Sequence, residues 1–599
     1  MDEYTTPARF VPAAAANLTD DVFDNAQNRP THVAFSRKFG SIWAPVTSLE
    51  FADEVSALAA GLIDSGIGVG DRIALMSGTS YEWMLCDYAI WSAGAVTVPI
   101  YETSSDEQVE WYLSDSGAKS VFVQTAEHEA SVARVADRLT EAPKVWRMDP
   151  ANLKTMSATG ATARGQVADR RSLVTGESLA TIVYTSGTTG RPKGCAITHG
   201  SLVAQAANVL LGDGVPLLFN ETKSALLFLP LAHILARDIQ ICAVRSGARL
   251  GHTANIHNLA AELQLFRPAV VLSVPRVFEK IYNTAKHQAA AAGHARIFKA
   301  AEDTAIAYSR ALTAGSPGLL LRARHALFDR LVYRKLRDAM GGRTEFAVSG
   351  GAPLGETLGH FFRGVGVNIL EGYGMTETCA GSTLNLPTLQ RIGTVGKPIP
   401  GCTIRIQPDG EVLIKAPYVF RGYWQNEQAT AEILSDNWCH TGDIGVLDDD
   451  GFLKITGRKK DLIVTAAGKN VAPAVLEDRL RAHWLISQCL VVGDGKPYIA
   501  VLITIDTDTF ALWKKEHGKP MDATVQQLRD DPDLNLALQA AVDDANSAVS
   551  HAEAIKRFRV LPTDFTEAGG ELTPTLKVRR DAVMTKLASE VALLYPESP

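Results

Sequence analysis

Apolar and polar positions along the 599-residue chain switch repeatedly between helical and strand periods. After Thr47, residues Val55, Leu58 and Leu62 recur at helical spacing, and Thr47 with Glu50 forms the Thr-x-x-Glu pattern of a capping box. GIGVGDRIALM then supplies a turn and a short apolar strand. The rhythm returns in a helix over 108–114 and in strands over 120–124, 179–184 and 270–274. This is the α/β alternation of mainly parallel sheets flanked by helices. Residues 1–459 read as one large N-terminal domain of several subdomains.

Between 286 and 342 the pattern becomes Ala- and Arg-rich and helical. In LLLRARHALFDRLVYRKLRDAM, Leu320, Leu327 and Leu331 make an apolar stripe, while Arg322, Arg324, Arg330, Arg334, Lys335 and Arg337 supply charge. Such a helix can lie on an anionic membrane surface. Packing of the stripe on its own domain, with solvated arginines, is the preferred reading. Beyond Gly451 the segments shorten. FLKITGRKKDLIVTAAGKNV suggests two strands around a basic turn, and CLVVGDGKPYIAVLIT a hairpin turning at Asp494 and Gly495. A helix near 534–553, the strand KRFRVLP and a final helix from about Val578 complete a small α+β unit. The boundary is placed at GRKKD, giving domains 1–459 and 460–599.

Composition narrows the function classes. With 46% hydrophobic and 21% charged residues the chain is globular, and a net charge of −7 gives no general pull toward nucleic acid. The start, MDEYTTPARF, lacks the basic and apolar regions of a secretory signal, so a cytoplasmic location is expected. Seven scattered cysteines argue against a disulfide framework or a zinc ribbon, and Cys439 beside His440 reads as packing.

The segment YTSGTTGRPKG, residues 184–194, carries the first candidate chemistry. It is not a Walker A loop, because Pro192 precedes Lys193 and the short apolar CAIT that follows suggests a strand. It is not a nucleophile elbow, because Tyr184 stands where glycine is required. What remains is a donor-rich turn between two strands, able to converge backbone N–H groups and hydroxyls on an anion. A surface turn is the alternative.

Together with GYGMTET (372–378), HTGDIG (440–445), TGRKKDLI (456–463) and TPTLK (573–577), this segment resembles the adenylate-forming superfamily. That superfamily includes acyl-CoA synthetases, peptide-synthetase adenylation domains and firefly-type luciferases. The resemblance implies that ATP and a carboxylate give an acyl-adenylate and pyrophosphate, after which a thiol displaces AMP. It implies a pyrophosphate-cradling role for Thr185, Ser186, Gly187, Thr188, Thr189, Gly190 and Lys193. Thr376 matches an α-phosphate contact and Glu377 a Mg²⁺ ligand. Asp443, assisted by Arg458, matches the ribose-binding carboxylate, and Gly350, Gly351, Ala352, Gly372 and Tyr373 match adenine-facing segments. Lys577 matches the carboxy-terminal lysine of adenylation, and Lys460 the hinge of a mobile C-terminal domain.

FLPLAH, with His233, resembles an acyl-pocket segment of long-chain fatty acid ligases, as does VPRVFEKIYN. GKNVAP resembles the loop beside the CoA channel, with Gly468 leaving room for a thiol-bearing arm. A long-chain fatty acid:CoA ligase is therefore expected, with fatty acid, ATP, CoA and Mg²⁺ as its partners. An acyl-AMP ligase or carrier-loading enzyme, and a non-catalytic nucleotide or lipid binder, remain as alternatives. A homodimer and a peripheral contact with the inner face of a membrane are compatible with the chain.

Overall fold

The computed structural model describes residues 1–185, 191–256, 258–573 and 576–595. Ser186, Gly187, Thr188, Thr189 and Gly190, expected in the phosphate loop, lie outside the described residues. The expected α/β architecture is present. A seven-stranded sheet carries five parallel strands, from Leu179–Thr185 through Val96–Ile100 and Arg72–Met76 to Ser120–Val123 and Lys144–Arg147, and antiparallel Lys193–Thr198 and Gly422–Tyr423 extend it. A nine-stranded sheet has a parallel centre that includes Ser224–Leu227, Val270–Ser273, Phe346–Ser349 and Asn368–Met375. Helices cover both sheets; a large apolar core spans the two, and a second cluster, including Met76, Val98, Val109 and Ile182, lies on the other face of the seven-stranded sheet.

Local sequence explains the helix starts. Thr47 and Glu50 satisfy each other's backbone N–H groups at 2.8 and 3.2 Å, opening the helix Ser48–Asp64. Ser105 and Gln108 form a second capping box, so the helix expected over 108–114 runs Asp106–Ser116.

A third, six-stranded antiparallel sheet was not foreseen. Its edge strand Glu3–Thr5 pairs with Thr403–Ile406, in register Glu3 opposite Arg405, and Arg405 Nε donates to Glu3 Oε2 at 2.6 Å. The strands on either side of the basic turn belong to different sheets. Leu453–Arg458 pairs with Trp438–Leu447, whereas Ile463–Val464 pairs with Asn470–Val471. The 3₁₀ turn Lys459–Asp461 crosses between them.

The smaller C-terminal domain has its own apolar clusters, running from Ile463 to Val560 and from Leu490 to Leu594. Its antiparallel strands Ile486–Val492 and Ile499–Ile505 form the expected hairpin, and Ile555–Val560 adds in parallel. It meets the larger domain through Arg276, whose guanidinium lies 3.2 Å from Ser487 Oγ and 3.6 Å from Asp506. His287 packs its ring against Trp484 at 4.5 Å between centroids, and Thr103 donates to Glu567.

The helical insert forms Pro275–Ala291, Ala295–Ala314, Leu319–Phe328, a π-helical turn Asp329–Tyr333 and Arg334–Ala339. The preferred reading of its apolar stripe is overturned. Leu320, Leu327 and Leu331 are exposed, because the inward positions are taken by His325, Tyr333 and Leu336 instead. No helix among the described residues is long and apolar enough to cross a membrane.

Candidate functional site

The cleft between the domains gathers most of the described candidate residues. Antiparallel register sets Asp443 opposite Arg458, with Nε 3.5 Å from Asp443 Oδ1. Tyr373, in the half of strand Asn368–Met375 that pairs antiparallel with Ala380–Leu384, donates its phenol to Asp443 Oδ2 at 2.7 Å. Burial pushes the Asp443 carboxyl above its ordinary range, and Arg458, Tyr373 and Lys577 oppose that shift. The trio offers carboxylate acceptors and a cation to a polar ligand.

Lys577 reaches this group from the C-terminal domain. Its residue keeps accessible surface, yet the side chain extends into the cleft, where a Cβ on Gly351 would sit 3.9 Å from its Cε. Surrounding protein, and then Arg458, lower the ammonium pKa, while Asp443 raises it. Gly351 has φ +84°, so a residue with a side chain would be strained there. Gly350 lies beside Gly372, its added Cβ falling 3.6 Å from the Gly372 carbonyl. Ala352 is exposed on the same loop.

At the other end of the cleft, Lys193 stands opposite Thr185 across the two antiparallel strands, as expected of a strand-to-strand loop. Its Nζ lies 5.1 Å from the ring centroid of Tyr423, and the Tyr423 hydroxyl donates to Glu377 Oε1 at 2.6 Å. Thr376 and Glu377 occupy a buried 3₁₀ turn, Thr376–Thr378. The two residues after it, Cys379 and Ala380, both have left-handed φ, at +53° and +83°. Ala380 O also crowds Gly374, where any Cβ would fall 1.6 Å away. This backbone is strained, and strain of that kind concentrates where a turn must present specific groups.

Glu377 supplies hard carboxylate oxygen, and Thr376 a hydroxyl beside it. No cluster of three His, Cys, Asp or Glu side chains is found among the described residues. That donor set fits Mg²⁺, which favours one or two carboxylates plus phosphate oxygens and water over an all-protein cage. It does not suit a zinc-type site.

His233 caps the helix Ile234–Ser246, its Nδ1 accepting from the Leu235 N–H at 3.2 Å. Burial, and then Lys577, push its pKa down to about 4, so the imidazole is neutral at pH 7. Lys460 is exposed in the crossing turn, next to Lys459, which binds Asp409 at 2.6 Å and Glu411 at 3.1 Å. Gly468 lies on an exposed turn with φ +76° and open space where a Cβ would project.

Two residues escaped the sequence reading. Tyr423 links Lys193 to Glu377, but RGYW carries no phosphate-loop signal; only its pairing with Cys195 brings it close. Glu371, just ahead of GYGMTET, is 8% exposed and accepts from the Leu354 N–H at 3.2 Å. Burial raises its pKa to about 7. Cys439 is packed in the core, and His440 bonds Ser435 Oγ at 2.8 Å.

Known proteins resemble this chain over most of its length. The AMP-binding enzyme family matches residues 22–424, and the AMP-binding enzyme C-terminal domain matches residues 460–598. The chain is 50% identical, over 99% of its length and 100% of the relative's, to long-chain-fatty-acid–CoA ligase FadD15 of Mycobacterium bovis. It is 31% identical to the peroxisomal long chain acyl-CoA synthetase 7 of Arabidopsis thaliana, covering 92% of this chain and 81% of that one. The fold matches the crystal structure of the anthranilate CoA ligase AuaEII in complex with anthranoyl-AMP, with a TM-score of 0.72 at 17% identity, covering 97% and 99% of the two chains. The chain belongs to the AMP-binding enzyme family, within the adenylate-forming acyl-CoA synthetase superfamily.

Proposed function

We propose that the protein is an AMP-forming long-chain fatty acid:CoA ligase. In the first step a fatty acid carboxylate oxygen bonds to the α-phosphorus of ATP, and the bond to pyrophosphate breaks. In the second the CoA thiolate bonds to the acyl carbon, and the C–O bond to AMP breaks. The observation that carries this reading is the approach of Lys577 to the Tyr373–Asp443–Arg458 group across the domain interface.

Asp443 accepts from the ribose hydroxyls, with Tyr373 and Arg458 holding its carboxylate in place. Gly350, Gly351, Ala352 and Gly372 leave room for the flat adenine. Lys193, with Thr185 and the loop Ser186, Gly187, Thr188, Thr189 and Gly190, neutralises the departing pyrophosphate. Thr376 binds the α-phosphate. Glu377 would hold Mg²⁺, which when bound supplies positive charge against the phosphates. Lys577 brings the anionic carboxylate to the anionic phosphate.

The neutral His233 borders the acyl pocket without adding a charge against the chain. For the second step the domain 460–599 turns about Lys460, withdrawing Lys577 and bringing the Gly468 turn to the CoA channel. In the present arrangement Lys577 is in the cleft and Gly468 is exposed, which supports reading it as the adenylating state. The enzyme works in the cytoplasm, with peripheral access to membrane-borne fatty acid.

The test supplies ATP, Mg²⁺ and fatty acids of graded length, with and without CoA, and follows pyrophosphate, AMP and thioester. Pyrophosphate without thioester favours an acyl-AMP ligase, and no turnover favours a binding protein. Lys577→Ala is expected to slow adenylate formation by about 100-fold or more, while leaving thioester formation from supplied acyl-adenylate largely intact. Equal loss in both half-reactions overturns the lysine assignment.

A further inference from the structure

The apolar stripe of the basic helix has no partner among the described residues. Leu319, Leu320, Leu327 and Leu331 are 84%, 77%, 55% and 49% exposed, and no residue of Leu319–Phe328 is buried. Single exposed leucines are ordinary on soluble proteins, but four within thirteen positions form a patch. Leu320, Leu327 and Leu331 follow at intervals of seven and four, which stacks them on one side of the helix.

That side is held outward by specific contacts on the other. His325 Nε2 bonds the Gly364 carbonyl at 2.6 Å and its ring stacks on Tyr308 at 3.8 Å. The Tyr333 hydroxyl donates to the Ala301 carbonyl at 2.7 Å, and Arg337 binds Asp329 and the Val365 carbonyl at 2.7 and 2.6 Å. The leucines are therefore presented by an anchored element and not by a loosely attached one.

Around them, Arg322, Arg324, Arg330, Arg334 and Lys335 are exposed, and none forms an ion pair among the described residues. Arg337 alone among the helix's cations is paired. Five unpaired cations are concentrated here in a chain whose net charge is −7. A symmetric dimer through this face would bring like charges together. An anionic bilayer meets both features, since leucines enter the acyl boundary while long cationic side chains extend to phosphate headgroups.

We propose that the outer face of residues 319–335 docks the protein on an anionic lipid bilayer. This rests on the peripheral membrane access proposed above and names the surface that makes it, while its test measures binding without turnover and so stands apart from the ligase assay. The experiment floats the full chain with vesicles of phosphatidylcholine alone or mixed with phosphatidylglycerol, at low and high salt. The protein is expected to float with the mixed vesicles, to be released by salt, and to ignore phosphatidylcholine.

Two double variants, Leu320→Ser with Leu327→Ser and Arg324→Glu with Lys335→Glu, are each expected to lose about tenfold or more in affinity, or about 1.4 kcal/mol. Their circular dichroism and turnover of a soluble short-chain acid should match the parent. Failure of the parent to bind, or unchanged binding in both variants, overturns the proposal. So does self-association in sedimentation that the leucine variant abolishes without any vesicle binding, since the face would then meet a second copy.

Discussion

Tyr423 joins Glu377 and Lys193, although no motif contains it. Its hydroxyl holds Glu377 Oε1 at 2.6 Å, and its ring faces the Lys193 ammonium. A hydrogen bond to a charged group contributes about 1.5–3 kcal/mol. Tyr423→Phe keeps the ring under the lysine and frees the carboxylate, so adenylation is expected to fall about tenfold, with the KM for fatty acid little changed. An unaltered pyrophosphate release rate would dismiss the bridge. Glu371 offers a second test, of stability. Its folded pKa of about 7 lies above the ordinary 4.5, so its contribution is fully present below about pH 4.5 and is lost as pH rises toward 7. Glu371→Gln keeps the acceptor for Leu354 and removes the charge. The variant should gain stability over the parent at pH 8, by a ceiling of about 3 kcal/mol, and the gain should shrink at pH 5 in denaturant titrations.

Among the elements, helices and short apolar strands were legible because their determinants are local. Thr47 with Glu50, and Ser105 with Gln108, carry their own start signals. The strands flanking the basic turn were also legible, but not their separation into two sheets, because pairing is decided by segments far away in sequence. The insert shows the same limit. Its amphipathic pattern was visible, but not which side the fold would take. That choice depends on helix Ala295–Ala314 packing against Glu356–Val365, where a Cβ on Gly364 would fall 2.1 Å from the Ala305 carbonyl. Gly364→Ala must therefore push these helices apart, at a cost of about 1–3 kcal/mol. The expected result is a lower melting temperature and weaker hydrogen-exchange protection in both helices. Full retention of stability would contradict so close a contact.

On the scale of the molecule, the site exists only where two domains meet. The motifs named Asp443, Arg458, Tyr373 and Lys577, and the fold brings these four together. They said nothing of the contacts that hold the domains together, such as Arg276 with Ser487 and Asp506, or His287 with Trp484. These depend on surfaces from separate folding units, and no short pattern records them. Trp484→Ala removes an aromatic contact of about 0.5–1.5 kcal/mol beyond its buried area. Adenylation should slow severalfold, while thioester formation from supplied acyl-adenylate is retained or faster. Equal slowing of both steps would indicate a general loss of folding instead.

The pairing of Glu3 with Arg405 also sets a timetable for synthesis. At about 5–20 residues per second, the ribosome needs roughly 20–80 s to deliver the partner strand after Glu3 emerges. Through that interval the edge strand has no native neighbour, and the antiparallel sheet that bears Asp443 cannot be completed. The edge strand Glu3–Thr5 is thus seated only after its distant partner has emerged, and the sheet that bears Asp443 matures late in the synthesis of the larger domain.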